Sequence, residues 1–147
     1  MFSKTIQVII IEDSEDFSNA LKKVVEEQTI FPCKVHILNP TDGKRERPPT
    51  FEEFYNEINA CIVGPLCLNL VLLDNQLGKW KWKGANLAPS LYHVISISSD
   101  PARWADYAFT RKSDIAYHDN EEAKQQLVAV LVEVLKKALP PKFAAEL

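Results

Sequence analysis

Acidic side chains follow two apolar segments of the chain, at the point where each segment ends. Glu12 and Asp13 come directly after residues 6–11, and Asp74 follows residues 70–73. Continuous apolar runs suit parallel strands that are buried on both faces. Open α/β sheets bind their ligands at the carboxyl ends of such strands. If the two segments are neighbouring strands, the three carboxylates meet at one edge of a sheet.

Three carboxylates in one cleft predict a cation. Two of them about 4 Å apart repel each other by roughly 4 kcal/mol at an effective dielectric constant near 20. Mg²⁺ takes oxygen ligands and keeps several waters. Carboxylates act as phosphoryl acceptors, and that transfer depends mainly on positioning and charge neutralisation. Asp13 alone would be read as a helix cap, but its placement with Asp74, and with Ser98 after a fourth apolar segment, favours a magnesium-dependent phosphoryl-accepting site.

The composition is that of an ordinary globular domain. The chain has 147 residues, of which 46% are hydrophobic and 25% charged, and a formal net charge of −3. This length suits one domain with a sizeable core, and the mild negative charge argues against nucleic-acid binding. No apolar stretch approaches the roughly 20 residues that span a bilayer, and the N-terminus does not read as a signal peptide. Three cysteines without metal spacing suit a reducing compartment, so we expect a cytoplasmic protein.

Hydrophobic periodicity predicts strands that alternate with helices. The predicted strands cover residues 6–11, 33–38, 66–73, 92–98 and 114–118. The predicted helices cover about residues 15–28, 51–62, 85–91, 101–109 and 121–138. This alternation predicts a parallel sheet with helices on both faces. Residues 39–50 contain three prolines and a charged run, which predicts an exposed loop before a capping box at Thr50 and Glu53.

With these features the chain resembles the receiver domain of two-component response regulators. The resemblance runs from residue 6 to about residue 138, and its motifs are Ile11-Glu12-Asp13, Leu72-Leu73-Asp74-Asn75-Gln76-Leu77-Gly78 and Ile97-Ser98-Ser99. It implies a flavodoxin-like (βα)₅ three-layer α/β fold with strand order 2-1-3-4-5. It implies that Asp74 is the phosphoacceptor and Ser98 the switch hydroxyl. The implied Mg²⁺ ligands are Glu12, Asp13, Asp74 and the backbone carbonyl of Gln76.

The sequence departs from the receiver pattern near the predicted fifth strand. Receivers carry a Lys at the end of that strand, where this chain has Tyr117 and His118. We align His118 with that Lys, and a shift by one residue would place Tyr117 there. The phosphoryl group would then lose a fixed positive charge, unless Lys79 or Lys112 takes its place. Ile115 falls at the usual aromatic switch position, and the segment between strands two and three is longer than is usual for receivers.

Two functional classes remain open. In the first, the chain is a stand-alone receiver that a histidine kinase or phosphotransfer protein phosphorylates, and the modification repacks the face of helix four, strand five and helix five. In the second, it is a pseudo-receiver that binds proteins whether or not it is phosphorylated. The intact acids favour the first class, and the missing Lys favours the second. We do not expect an enzyme, because an aspartyl phosphatase usually has a second acid where this chain has Gln76.

The remaining expectations concern domains and surfaces. We expect a receiver domain over residues 1–139, a short tail over residues 140–147 and no output domain, so that the chain acts on a downstream protein target. The last helix is apolar over residues 127–135, which predicts either a broadly buried helix or a homodimer face. Trp80 and Trp82 alternate with lysines, and we expect these rings to cover the cleft or pack on the adjacent helix. No nucleic-acid or membrane partner is expected.

Overall fold

A computed structural model describes residues 6–29, 31–62, 68–100, 102–139, 141 and 145. Its strands pair in parallel as one five-stranded sheet in the order β2-β1-β3-β4-β5. They are β1 (Ile6–Ile11), β2 (Cys33–Leu38), β3 (Leu68–Leu73), β4 (Val94–Ser96) and β5 (Tyr107–Ala108). The predicted flavodoxin-like fold and its strand order are therefore confirmed.

Three of the helices begin at side chains that cap them. The helices are α1 (Glu15–Gln28), α2 (Phe51–Ala60), α3 (Gly84–Leu87), which continues into a 3₁₀ turn (Ala88–Ser90), α4 (Lys112–His118) and α5 (Glu121–Ala138). Ser14 and Asn120 accept hydrogen bonds from the first turns of α1 and α5. Thr50 and Glu53 form the predicted capping box of α2. These side chains satisfy amides that have no partner within their helices.

The sheet is covered on both faces. The even-numbered residues of β1 lie in a core cluster with α1 and α5, whereas Ile9 and Ile11 lie in a second cluster with α2 and α3. All six residues of β1 are buried, which explains why this strand is apolar almost throughout. The register pairs Ile11 with Leu73, so the segments that follow β1 and β3 leave the sheet side by side.

Two of the predictions for the last third of the chain are wrong. Residues 101–109 were predicted to be a helix, but the described residues 97–100 and 102–106 form no regular element and β5 follows them. Residues 114–118, the predicted fifth strand, lie in α4. The residues at 99–101 are typical of a helix start, but the pairing of β5 with β4 outweighs them. Residues 114–118 were mistaken for a strand because a short apolar run does not distinguish a strand from a helix. The alignment of Ile115 with a position on strand five is wrong for the same reason.

Other boundaries differ less. β4 is shorter than the predicted 92–98, since His93 has a left-handed φ of 58° and the ladder with β3 begins at Val94. The predicted end of α2 at residues 64–65, the start of the third strand at residues 66–67, Pro101 and most of the tail lie outside the described residues. Among the described helices, none combines the length and the apolar character that crossing a bilayer would require.

Most apolar residues of α5 are buried in the core or pack against it. Leu127, Leu131, Val134 and Leu135 are buried in the core, and Val128, Val130 and Val132 pack against it. In the described part of the chain, the large hydrophobic side chains that are exposed are Ile37, Tyr92 and Tyr117, and none of them lies on α5. Burial therefore accounts for the breadth of the apolar run over residues 127–135.

Candidate functional site

The carboxyl ends of β1 and β3 bring three acidic side chains together. The backbone amide of Asp74 donates to the carbonyl oxygen of Ile11 at 3.0 Å, so the residues that follow the two strands are neighbours. Glu12, Asp13 and Asp74 each offer a carboxylate oxygen, and these oxygens lie within 4.8 Å of one another. The structure thus forms the acidic cluster that was predicted from the strand pattern.

A buried lysine lies beside these acids. Lys112 Nζ is 2.6 Å from Glu12 Oε2 and 3.3 Å from Asp74 Oδ2. The alignment that placed His118 at this position is wrong, because the fifth strand ends at Ala108 and His118 is an exposed residue at the end of α4. Lys112 is one of the two lysines that the sequence offers in place of the usual one, and the other, Lys79, is exposed.

Glu12 is the most deeply buried of the three acids that meet here, with 1% of its surface exposed. Burial raises the pKa of Glu12 from 4.5 to about 7; the hydrogen bond from Lys112 opposes this rise, and the charge of Asp74 adds to it. Glu12 Oε1 also accepts a hydrogen bond from the backbone amide of Ser14 at 3.1 Å. Fully ionised, the three acids and the lysine carry a net charge of −2, which a divalent cation would neutralise.

The carboxylate of Asp74 is held by different groups at its two oxygens. Ser98 Oγ donates to Asp74 Oδ1 at 3.1 Å, and the backbone amide of Asn75 donates to the same oxygen at 2.9 Å. The other oxygen, Oδ2, is the one that Lys112 approaches. Ser98 reaches this position because the amide of Ile97 donates to the carbonyl oxygen of Leu73 at 3.0 Å, which continues the pairing with β3 one residue past the end of β4. The predicted proximity of Ser98 and Asp74 is therefore present.

Asp74, Ser98 and Lys112 line an open cleft with a volume of 460 Å³. Gln76 also lines this cleft and is exposed, and the role of its carbonyl group as a metal ligand remains a prediction. The other lining residues are Phe17, Asn75, Ser99, Asp100, Ala102, Arg103 and Trp104. Clustered hard oxygen ligands beside a cleft that is wide enough for water fit a Mg²⁺ ion, which keeps part of its hydration shell.

The two tryptophans after Asp74 pack against α2. The ring centroid of Trp80 lies 4.9 Å from that of Phe54 and 5.2 Å from that of Trp82. Trp82 in turn packs edge-on against Phe51 at 5.9 Å. Of the two placements that the sequence allowed, packing on the adjacent helix is the one observed.

Gly84 is a site residue that the sequence did not indicate. Its amide donates to the carbonyl oxygen of Asn75 at 2.9 Å. A Cβ at this position would lie 2.2 Å from the carbonyl oxygen of Asp74. Only glycine therefore allows the start of α3 to approach the backbone of the phosphoacceptor candidate this closely. A glycine that follows a polar loop carries no such signal in a single sequence.

Comparisons with known proteins support the fold. No protein-family model and no curated protein sequence matches this chain. Among solved structures, the chain is similar to the "Mn(2+)-bound form of response regulator Rcp1", with 13% sequence identity and a TM-score of 0.52. The match covers 84% of this chain and 90% of the other. At this identity the likeness establishes a shared fold, which is that of a response regulator.

Proposed function

We propose that the chain is a receiver domain that accepts a phosphoryl group on Asp74 with the help of Mg²⁺ and signals through protein–protein interaction. The observation that carries this proposal is the placement of Asp74 between Ser98 and Lys112, beside two further acids. The shared fold with a response regulator supports it. The Mn²⁺ named for that neighbour supports a divalent cation here, because Mg²⁺ and Mn²⁺ both suit oxygen ligands.

The metal ligands in this proposal are Asp13, Asp74 and the backbone carbonyl of Gln76, with Glu12 beside them. A bound Mg²⁺ supplies charge neutralisation for the phosphoryl oxygens. Glu12 differs from the other two acids because its carboxylate is the one closest to Lys112, at 2.6 Å compared with 3.3 Å for Asp74. Asp13 and Asp74 are therefore the carboxylates with more capacity for the ion.

The chemistry at Asp74 is a phosphoryl transfer. A carboxylate oxygen attacks phosphorus and forms an O–P bond, while the bond between phosphorus and the donor breaks and the leaving group keeps the electron pair. For a phosphohistidine of a histidine kinase or phosphotransfer protein, the broken bond is N–P. Lys112, 3.3 Å from Oδ2 of Asp74, balances the charge of the product, and the hydroxyl of Ser98 donates to a phosphoryl oxygen.

Lys112 also connects the site to the surface. It is the first residue of α4, and its Nζ lies 4.7 Å from the centroid of the Phe17 ring on α1. Phe17 packs edge-on against Tyr117 at 5.4 Å, and Tyr117 is 61% exposed. A movement of Lys112 toward a phosphoryl group would therefore alter the surface formed by α1 and α4. The sequence predicted that phosphorylation would change a different surface, which included a helix between strands four and five. No helix is described between β4 and β5, so we propose the surface of α1 and α4 instead.

The pseudo-receiver alternative loses its main support. It rested on the absence of the usual lysine, and Lys112 now lies beside Asp74 and Glu12. A protein that only docked partners would not need a buried ion pair at the end of β1, since such pairs carry a large desolvation cost. We therefore propose the phosphorylated receiver, with a downstream protein as its target.

Intact-protein mass spectrometry tests this proposal. The protein is incubated with acetyl phosphate in the presence of Mg²⁺ and, separately, of EDTA. We expect one phosphoryl adduct with Mg²⁺, and no adduct with EDTA or with the Asp74→Asn variant. Absence of an adduct on the wild-type protein, together with failure to bind beryllofluoride in the presence of Mg²⁺, would refute the proposed function.

A further inference from the structure

The segment between β2 and α2, residues 39–50, is tied to α2; we call it the strap. Arg45 donates from both Nη atoms to the two carboxylate oxygens of Glu57, at 2.8 and 2.7 Å. Its Nε donates to the carbonyl oxygen of Asn39 at 2.9 Å, and its guanidinium lies 5.7 Å from the centroid of the Phe54 ring. Bidentate bonds between arginine and carboxylate are strong and directional. The strap is therefore held in a defined position and is more than a flexible connection.

One end of the strap contacts the β1–α1 loop. Asn39 Nδ2 donates to the backbone carbonyl oxygen of Asp13 at 3.2 Å. Asn39 Oδ1 accepts hydrogen bonds from both the amide and the hydroxyl of Thr41, each at 2.9 Å. Because the backbone amide of Thr41 can only donate, its partner must be the oxygen of the Asn39 side chain. The Nδ2 group of Asn39 is therefore the one that faces Asp13.

The strap also contacts the loop that follows β3. Trp80 Nε1 donates to the carbonyl oxygen of Pro49 at 2.9 Å, and this bond is buried. Thr41 lies against Gly78, where an added Cβ would come within 2.9 Å of the hydroxyl oxygen of Thr41. Gly78 has a left-handed φ of +63°, so the turn after Gln76 has a shape that few other residues adopt. The strap thus joins the two loops that carry the proposed metal ligands.

We infer that the strap sets the affinity of the metal site and that Asn39 is a positioning residue for Asp13. This inference rests on the proposed function, because it concerns the Mg²⁺ that this function requires. Asn39 holds the backbone from which the carboxylate of Asp13 projects, and Trp80 holds the loop that contains Gln76. Hydrogen bonds that orient metal ligands are typically worth about 10–100-fold in metal affinity.

The test is Mg²⁺ titration calorimetry of the metal-free protein, compared with its urea unfolding in EDTA. We expect Asn39→Ala to weaken Mg²⁺ binding about tenfold or more. Asn39→Asp keeps the acceptor for Thr41 but removes the donor to Asp13, so it is expected to weaken binding as well. Trp80→Phe removes the Nε1 donor together with part of the buried ring, and it is expected to weaken binding several-fold. Asn56→Ala, on the exposed side of α2, is the control and should leave the dissociation constant unchanged.

The outcomes separate this inference from the proposed function. If the wild-type protein binds Mg²⁺ and the two Asn39 variants bind it equally well, the inference is overturned and the proposed function stands. A fall in the urea midpoint without a change in Mg²⁺ affinity has the same meaning, since it shows a role in stability alone. If Asn39→Ala does not fold, Asn39→Asp and Trp80→Phe decide the question. A wild-type protein that binds no Mg²⁺ overturns both.

Discussion

Replacement of Lys112 by Met is expected to destabilise the metal-free protein far more than the loss of a surface lysine. Lys112 Nζ lies 2.6 Å from Glu12 Oε2, and the two side chains are 5% and 1% exposed. Coulomb's law gives about 6 kcal/mol for this separation at an effective dielectric constant near 20, and much of it is offset by lost hydration. Removing one partner leaves the other charge buried without compensation, which typically costs about 3–5 kcal/mol.

Urea unfolding at pH 8 in EDTA measures this effect, with Lys22→Met as the matched control. Lys22 pairs with Glu26 at 3.6 Å on α1, and their side chains are 45% and 47% exposed. Exposed pairs of this kind contribute about 0.2–1 kcal/mol. We therefore expect a loss of about 3–5 kcal/mol for Lys112→Met and less than about 1 kcal/mol for the control.

The double variant Lys112→Met with Glu12→Gln isolates the pair. It removes both charges, so it should recover part of the stability that Lys112→Met alone loses. The reasoning would be refuted by a loss below about 1 kcal/mol for Lys112→Met, or by a double variant that is no more stable than the single one. Either result would mean that Lys112 does not balance the buried charge of Glu12 in solution.

The residues around Asp74 allow three further predictions. Gly84→Ala places a Cβ 2.2 Å from the carbonyl oxygen of Asp74, so it should cost about 1–3 kcal/mol in urea unfolding and weaken Mg²⁺ binding in titration calorimetry. Gly43→Ala, which has nothing within 4 Å of the added Cβ, should change neither, and equal effects of the two variants would contradict the close approach. Ser98→Ala removes a donor to the carboxylate of Asp74, so phosphorylation by acetyl phosphate should slow about tenfold in intact-mass time courses, and an unchanged rate would exclude this role. Burial raises the pKa of Glu12 from 4.5 to about 7, so the folded state binds the extra proton between these pH values. The stability that this group contributes is full below pH 4.5 and is lost as the pH rises through 7. The wild-type protein should therefore lose stability relative to Glu12→Gln across that range in EDTA, and a constant difference would contradict the raised pKa.

The acidic part of the site could be predicted because it depends on local patterns in the sequence. β1 and β3 are apolar runs that end at acids, so a parallel sheet alone brings Glu12, Asp13 and Asp74 to one edge. The capping box at Thr50 was equally local, because its two partners are three residues apart. These features need no knowledge of how distant segments pack.

The lysine of the site could not be placed from the sequence. β5 contains two residues, which is too short to show the alternation typical of strands. The apolar residues of α4 resemble a strand more closely than β5 does. The predicted fifth strand was therefore placed at residues 114–118, and His118 was aligned with the lysine of receivers. Lys112 meets Glu12 across 100 positions of the chain, and the contact of Asn39 with Asp13 likewise depends on tertiary packing. Neither contact leaves a periodic or motif signal in one sequence.

The most direct test of the central claim is to locate the phosphoryl group on the chain. Borohydride reduces an aspartyl phosphate to homoserine, so tandem mass spectrometry of the reduced and digested protein identifies the modified residue. After incubation with Mg²⁺ and acetyl phosphate, we expect homoserine at position 74 and at no other acid, and none when EDTA replaces Mg²⁺. Homoserine at a different Asp, or its absence from position 74, would contradict the claim that Asp74 is the phosphoacceptor.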